Sequence, residues 1–264
     1  MHYTKTGATV RLLYSAHESI YTMSFQWLHS RWLLLLLILM VPSWCGAQDI
    51  PIDGQKRMYF PYPMDRKWQA SIGFTATTMP MEITEELRFR IPAGDFHVLR
   101  RLSKNFYLDG RLSFQFLQNL ATIGPKAAMP INERLSVAVG NDIGYWFGFI
   151  NVEGVKTRGS GWQNYPNISF GYRFNKKILL TLKAESIMNF GVKTFAGDTP
   201  VEYDYRLFSG SAYTVALEQP FAGSKSMTLG FRAIYSDFFW QTWTLFEGFE
   251  RNLFFPQVIV SLIL

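Results

Sequence analysis

The chain has 264 residues, 48% hydrophobic and 17% aromatic, and its 26 basic against 20 acidic residues leave a net charge of +6. The basic residues are scattered, which excludes a nucleic-acid-binding stripe and gives no reason to expect an acidic substrate. Apolar content at this level excludes a bundle of membrane helices, whereas 23 Phe, 13 Tyr and 8 Trp suit many amphipathic strands in one all-β domain.

Arg31 precedes an apolar run, Trp32–Val41, which is followed by Cys45, Gly46 and Ala47. About ten apolar residues are too few for a membrane-spanning helix, which takes roughly 17–25. They fit the core of a secretory signal peptide cleaved after Ala47, so residues 1–47 are expected to be that peptide. The stretch ahead of the core is unusually long, and Met23 is the expected translation start. A lipoprotein signal acylated at Cys45 is the alternative, against which stands the bulky Trp44. Cleavage at Ala47 removes the single cysteine and leaves neither a disulfide framework nor a thiol nucleophile. Residues 48–67 carry Pro51, Pro61 and Pro63 and read as an extended lead-in outside any wall of strands.

From Trp68 to Leu264 the pattern has a period of two, the mark of strands with one apolar and one polar face. In the first strand Trp68, Ala70, Ile72, Phe74 and Ala76 oppose Gln69, Ser71, Gly73, Thr75 and Thr77. A loop is expected over 78–92, then a poorly alternating second strand over 93–102, or earlier if Leu87, Phe89 and Ile91 belong to it. A third covers Phe106–Phe116 and a fourth Ala121–Ile131, weakened by Pro125 and Pro130. The fifth, Leu135–Phe149, is the clearest: Leu135, Val137, Val139, Ile143, Tyr145, Phe147 and Phe149 form a row broken only by Asn141. Asn151–Gln163 reads as a Gly-rich loop. Ile168–Phe174 and Leu180–Phe190 follow as strands, then a connection over Gly191–Arg206. Strands at Tyr213–Glu218, Met227–Ser236 and Phe254–Leu264 bring the count to about ten, within 8–12. Short turns at 103–105, 132–134, 175–177 and 222–225 alternate with mostly longer connections at 78–92, 150–163, 191–206 and 241–252; Leu117–Leu120 is brief.

That rhythm predicts a transmembrane up-and-down antiparallel β-barrel, with short turns at one end and long loops at the other. A soluble barrel would alternate too, with its apolar face inward. Three features favour hydrocarbon on the apolar side: strands of membrane-crossing length, aromatics near strand ends as an interfacial girdle, and charges on the opposite rows. The signal peptide, alternating strands, turn asymmetry and closing strand together resemble small Gram-negative outer-membrane β-barrel proteins. The resemblance covers Trp68–Leu264 as a pattern, not as a motif. It implies localisation in the cell outer membrane, contact with outer-membrane lipids and delivery by the barrel assembly machinery. In that class the last strand usually ends in an aromatic residue, whereas this one ends in Leu264.

On this face assignment the lumen-lining candidates are Asp109, Arg111, Lys126, Asp142, Arg173, Lys183, Glu185, Glu218 and Arg232. Five cations against four acids are nearly balanced, as in narrow barrels resembling the membrane domain of outer-membrane protein A, whose lumen is filled with such pairs. One prevailing sign would point to a selective pore. Inward glycines (Gly73, Gly140, Gly144, Gly148, Gly171 and Gly230) would leave room for water and keep a channel open as an alternative. His97 is the only histidine beyond residue 47. A catalytic role for it, as in barrel-borne proteases or lipid-modifying enzymes, stands beside the plainer reading of a wall or lumen histidine near the turn end. The turn end is basic: Arg66, Lys67, Arg100, Arg101, Lys104, Arg134, Lys176, Lys177 and Lys225 oppose Asp65 and Glu133, a composition that suits anionic headgroups. Asp198, Glu202 and Asp204 in a long loop lack the spacing of a calcium loop. No cofactor, metal or nucleotide motif is present. The expected function is a structural or interaction role through the longer loops. A small passive channel for ions or small solutes is the alternative, and a barrel enzyme acting on lipid or peptide a third.

Overall fold

The computed structural model describes residues 56–84, 89–152, 155–175, 177–201, 205–222, 224–245 and 248–264. The expected signal peptide, together with Glu85, Glu86, Arg88, Lys176, Glu202 and Asp204, lies outside them. Among the described residues the strands are β1 (Trp68–Thr78), β2 (Arg90–Arg101), β3 (Phe106–Phe114), β4 (Gln118–Pro130), β5 (Leu135–Val152), β6 (Val155–Arg173), β7 (Leu179–Ala196), β8 (Thr199–Val201), β9 (Phe208–Pro220), β10 (Ser226–Ser236) and β11 (Leu253–Ile263). Neighbours pair antiparallel, and β1 pairs with β11, Ile72 lying opposite Leu262. β7 pairs with both β6 and β9, so the wall closes on ten strands and β8 is a short ribbon beside the far end of β7.

The two faces part by chemistry. Ile72, Phe74, Ile123, Val139, Phe170, Val215 and Val258 are exposed on the outside, while Thr75, Asp109, Asp142, Glu185, Thr214 and Thr228 are buried within. An apolar exterior around a polar interior is the arrangement a bilayer demands, since hydrocarbon offers polar groups no partner. Trp68, Phe106, Tyr172 and Phe174 stand towards the turn end of the exterior, and Tyr145, Phe147, Trp162 and Phe190 towards the loop end.

β5, β6 and β7 have 18, 19 and 18 residues. About 9–11 tilted residues cross a bilayer, so these strands rise roughly 15–20 Å beyond it at the loop end. The rise begins at a β-bulge between Ser160 and Trp162, where Gly191 takes φ 62°. Without a Cβ, glycine adopts this left-handed conformation at little cost.

Strand number, the four short turns and the face assignment agree with the sequence reading; three boundaries do not. β2 starts at Arg90, and the first long connection is shortened to 79–89 by that start and holds a single helical turn, Met81–Thr84. The expected Gly-rich loop over 151–163 is almost entirely strand, because Gly159 and Gly161 face inward beneath indole rings. Likewise, 191–196 continue β7 and 199–201 fold back on it.

Val139 lies near mid-span on the outer face of β5. Val139→Arg is expected to destabilise the barrel by about 2–4 kcal/mol, read from urea titrations of folding into phospholipid vesicles.

Candidate functional site

The lumen has three layers, each built by a different part of the chain. The middle one is ionic. On β2 and β3, Arg111 Nε donates to Asp95 Oδ1 at 2.5 Å, and His97 Nε2 lies 2.7 Å from Asp109 Oδ1. The second oxygen of Asp109 takes Lys126 Nζ from β4. Across the lumen Lys183 Nζ is 2.7 Å from Glu185 Oε1 and 3.7 Å from Asp142 Oδ2, and Arg232 Nη2 is 3.0 Å from Glu185 Oε2. Asn167 Nδ2 donates to Asp142 Oδ2 at 3.0 Å. Each of these charges has an opposite charge beside it, as ions withdrawn from bulk water require.

The lead-in forms the layer at the turn end. Backbone N–H groups of Met58 and Tyr59 donate to Glu218 Oε1 at 2.6 and 3.1 Å, and that of Phe60 to Glu218 Oε2 at 2.9 Å. Glu218 therefore holds a strap of main chain, not a cation. Met58, Phe60 and Met64 are buried, Met58 and Met64 against the inward residues Leu99, Tyr107, Ala128, Ala138 and Ile263. Phe60 and Pro61 fill the space over Gly171. The Tyr59 ring meets the His97 ring edge-on at 5.4 Å and lies under Arg111. Arg101 Nη1 donates to the carbonyls of Met64 and Asp65 at 3.2 and 2.6 Å, and Arg57 donates to Pro63 O and pairs with Asp65. These contacts staple the strap's far end.

At the loop end the β10–β11 connection folds inward as a lid around a 3-10 turn, Trp240–Leu245. Trp146 and Trp243 are fully buried, with Phe238, Phe239 and Trp240 packed beside them against Leu120, Tyr165, Ile234 and Phe255. A Cβ at Gly148 or Gly159 would stand 2.5 or 2.6 Å from Trp243, and one at Gly161 2.8 Å from Trp146 Nε1. Gly148, one of the inward glycines on which the channel alternative relied for water, thus admits an indole, as do Gly159 and Gly161 beside it. Ser236 Oγ donates to Phe238 O at 2.7 Å, Ser209 Oγ to the Asp237 carboxylate and Gln118 Nε2 to Gln241 O at 3.3 Å, fixing the lid to the wall. Burial pushes the Asp237 carboxyl above its usual range, against the pull of Ser209 and Arg206.

Between strap and lid remains a chamber of ≈ 50 Å³, lined among others by Tyr59, His97, Lys126, Glu185, Arg232 and Trp240. It has room for a few waters. Asp142 Oδ1, Arg232 Nε and His97 Nδ1 make no hydrogen bond there among the described residues.

Of the nine candidates read from the sequence, Asp109, Arg111, Lys126, Asp142, Lys183, Glu185 and Arg232 meet around this chamber. Glu218 lies apart on the strap, and Arg173 sits at the turn end of β6. Asp95 was missed because Pro92 and Gly94 on its strand's outer face hid the alternation; only its place two residues before His97, on the same inward row, marked it. His97 is held by Asp109 under Tyr59, and Ser71, its partner across the β1–β2 ladder, makes no hydrogen bond to it.

No family profile and no curated protein sequence matches the chain. Solved structures of similar shape include the NanC porin (6% identity, 74% of this chain and 98% of that one, TM-score 0.38). An outer membrane channel from Pseudomonas putida F1 aligns at 9% identity over 82% and 100%, with TM-score 0.38. The attachment invasion locus protein Ail of Yersinia pestis, in complex with sucrose octasulfate, aligns at 10% over 75% and 97%, with TM-score 0.29. The assignment rests on the chain's own geometry: it is a β-barrel of the outer-membrane type, with ten wall strands. Segments of the same chain pack into both ends of its lumen.

Glu185→Leu strands Arg232 and Lys183 and is expected to cost about 3–5 kcal/mol, whereas Asp198→Asn on an exposed turn stays within about 0.5 kcal/mol; urea titrations in vesicles check both. Gly148→Leu should expel Trp243, seen as a red shift in tryptophan emission and new quenching by acrylamide.

Proposed function

We propose that the protein is a closed outer-membrane barrel that acts through its outer face and not by passage of solutes. The carrying observation is the double closure, strap below and lid above, with ≈ 50 Å³ left between them. A balanced ion network fills the middle, where a selective pore would carry a prevailing sign. The working surface is then what rises above the membrane: the long β5–β6–β7 sheet with its β8 ribbon, the 79–89 connection and the lid. Outer-membrane lipids surround the belt, and the barrel assembly machinery inserts it.

A gated passage for ions or small solutes is the second reading. It is favoured by one observation: neither closure is made by the wall, and the main-chain N–H groups of the strap's inner end, Met58 to Phe60, are held by a single carboxylate, Glu218. Planar-bilayer recording separates the two. The wild-type protein is expected to show no discrete openings, and openings in it would overturn the closed reading. Openings confined to Glu218→Ala or Trp243→Ala would replace that reading with the gated one, provided both variants keep heat-modifiable electrophoretic mobility.

A further inference from the structure

The cations of the ionic layer all hold carboxylates, whereas on the outer wall three exposed cations stand together with no ion pair among the described residues. Lys156 and Arg158 on β6 and Lys193 on β7 are exposed on the rising sheet, and among the described residues none forms an ion pair. The ladder gathers them on one face. Arg158 lies opposite Phe195 and Ser160 opposite Lys193, so Arg158 and Lys193 are diagonal neighbours, about 7–8 Å apart. Lys156 is two residues from Arg158, about 7 Å along the strand. The Arg158 guanidinium stands over the Phe195 ring at 4.4 Å, which steadies it.

That face is the lipid-facing one. Gly159 and Gly161 point inward at the indoles, so Arg158 and Ser160 share the outward row with Trp162. Trp162 stacks with Phe190 and packs against Tyr145, forming the upper aromatic girdle. Arg158 is four residues beyond Trp162, which for a strand tilted about 45° is roughly 9 Å above the girdle. A headgroup layer is about 5–8 Å deep, and long basic side chains reach back towards it. Phe149, opposite Arg158, adds an apolar floor beside the charges.

We propose that Lys156, Arg158 and Lys193 clamp the phosphate of an outer-leaflet lipid whose acyl chains lie along Trp162, Phe190 and Tyr145. Guanidinium offers a planar pair of donors to phosphate and the two ammonium groups add point charge, while the rings below match hydrocarbon. The inference rests on the loop end facing outward, as proposed above.

The full chain, refolded in phosphatidylcholine vesicles doped with a diphosphorylated glycolipid, supplies the test. After gentle detergent extraction, native mass spectrometry counts glycolipid retained per barrel. The triple variant Lys156→Gln, Arg158→Gln, Lys193→Gln is expected to bind about 100-fold more weakly, each lost charge costing roughly fivefold. The dephosphorylated glycolipid should be retained by neither protein, and inorganic phosphate at millimolar concentration should compete only weakly. Equal retention by wild type and triple variant overturns the proposal. So does an equal loss in Arg66→Gln, Lys67→Gln, Arg100→Gln at the turn end, which marks general charge attraction. Orientation is read separately: Asp198→Cys in intact cells should react with an impermeant maleimide above the wild-type background. If it does not, the outward reading fails while the binding data still judge the clamp.

Discussion

A charged side chain inside this wall has neither bulk water nor hydrocarbon able to receive it, and the interior is arranged around that fact. Asp109 takes His97 with one oxygen and Lys126 with the other, and Glu185 divides itself between Lys183 and Arg232. Asp109 on β3 is satisfied from both adjacent strands, β2 and β4, and Glu185 on β7 from its own strand and from β10 beyond β9, which ties neighbouring strands together inside the wall as well as along its ladders. The desolvation penalty of such ions is recovered only when the pairing geometry is good and further hydrogen bonds satisfy their remaining atoms. Among the described residues each charge of the network has a counter-charge beside it.

The ends of the lumen obey a different rule. Towards the loops the inward row turns apolar at Leu120, Trp146, Ile187, Ile234 and Phe255, and towards the turns at Leu99, Tyr107 and Ile263. Those residues would be misplaced in a water-filled pore; here they are the seats of lid and strap. Apolar burial therefore closes the barrel where ion pairing stops. Glu218 is the exception that shows how the two rules meet. It is an acid without a cation, satisfied by three main-chain donors of the strap.

This change of rule along each strand explains how much was legible in the sequence. The outward rows could be read because hydrocarbon imposes one demand over their whole buried length, so Leu135–Phe149 announced itself. Two of the four short turns could be read because Asn132 and Asn175 begin them, each accepting backbone N–H bonds two and three residues on. β2 was blurred because Ile91 and Leu99 face inward while Pro92 and Gly94 face out. The upper half of β6 was lost for a related reason. Above the aromatic girdle the outward residues Lys156, Arg158 and Ser160 are polar, and the inward Gly159 and Gly161 carry no side chain, so alternation vanishes while the strand continues. The strap gave no periodic signal at all, since Met58, Tyr59 and Phe60 pack as an irregular segment held by an acid 158 residues or more away.

Glycine content therefore cannot be converted into lumen width. A wall poor in inward side chains is wide only if nothing enters it. At Gly148, Gly159 and Gly161 the missing Cβ is the space that Trp243 and Trp146 occupy, and at Gly171 it is the space of Phe60 and Pro61. The small residues and the bulky ones are two halves of one packing solution, placed nearly a hundred residues apart in the case of Gly148 and Trp243. Emptying such a lumen would expose two buried indoles to water, at about 25 cal/mol for each Å² uncovered, and would leave the glycine-lined wall unsupported. The closed form is thus built into the wall sequence itself, not only into the segments that close it.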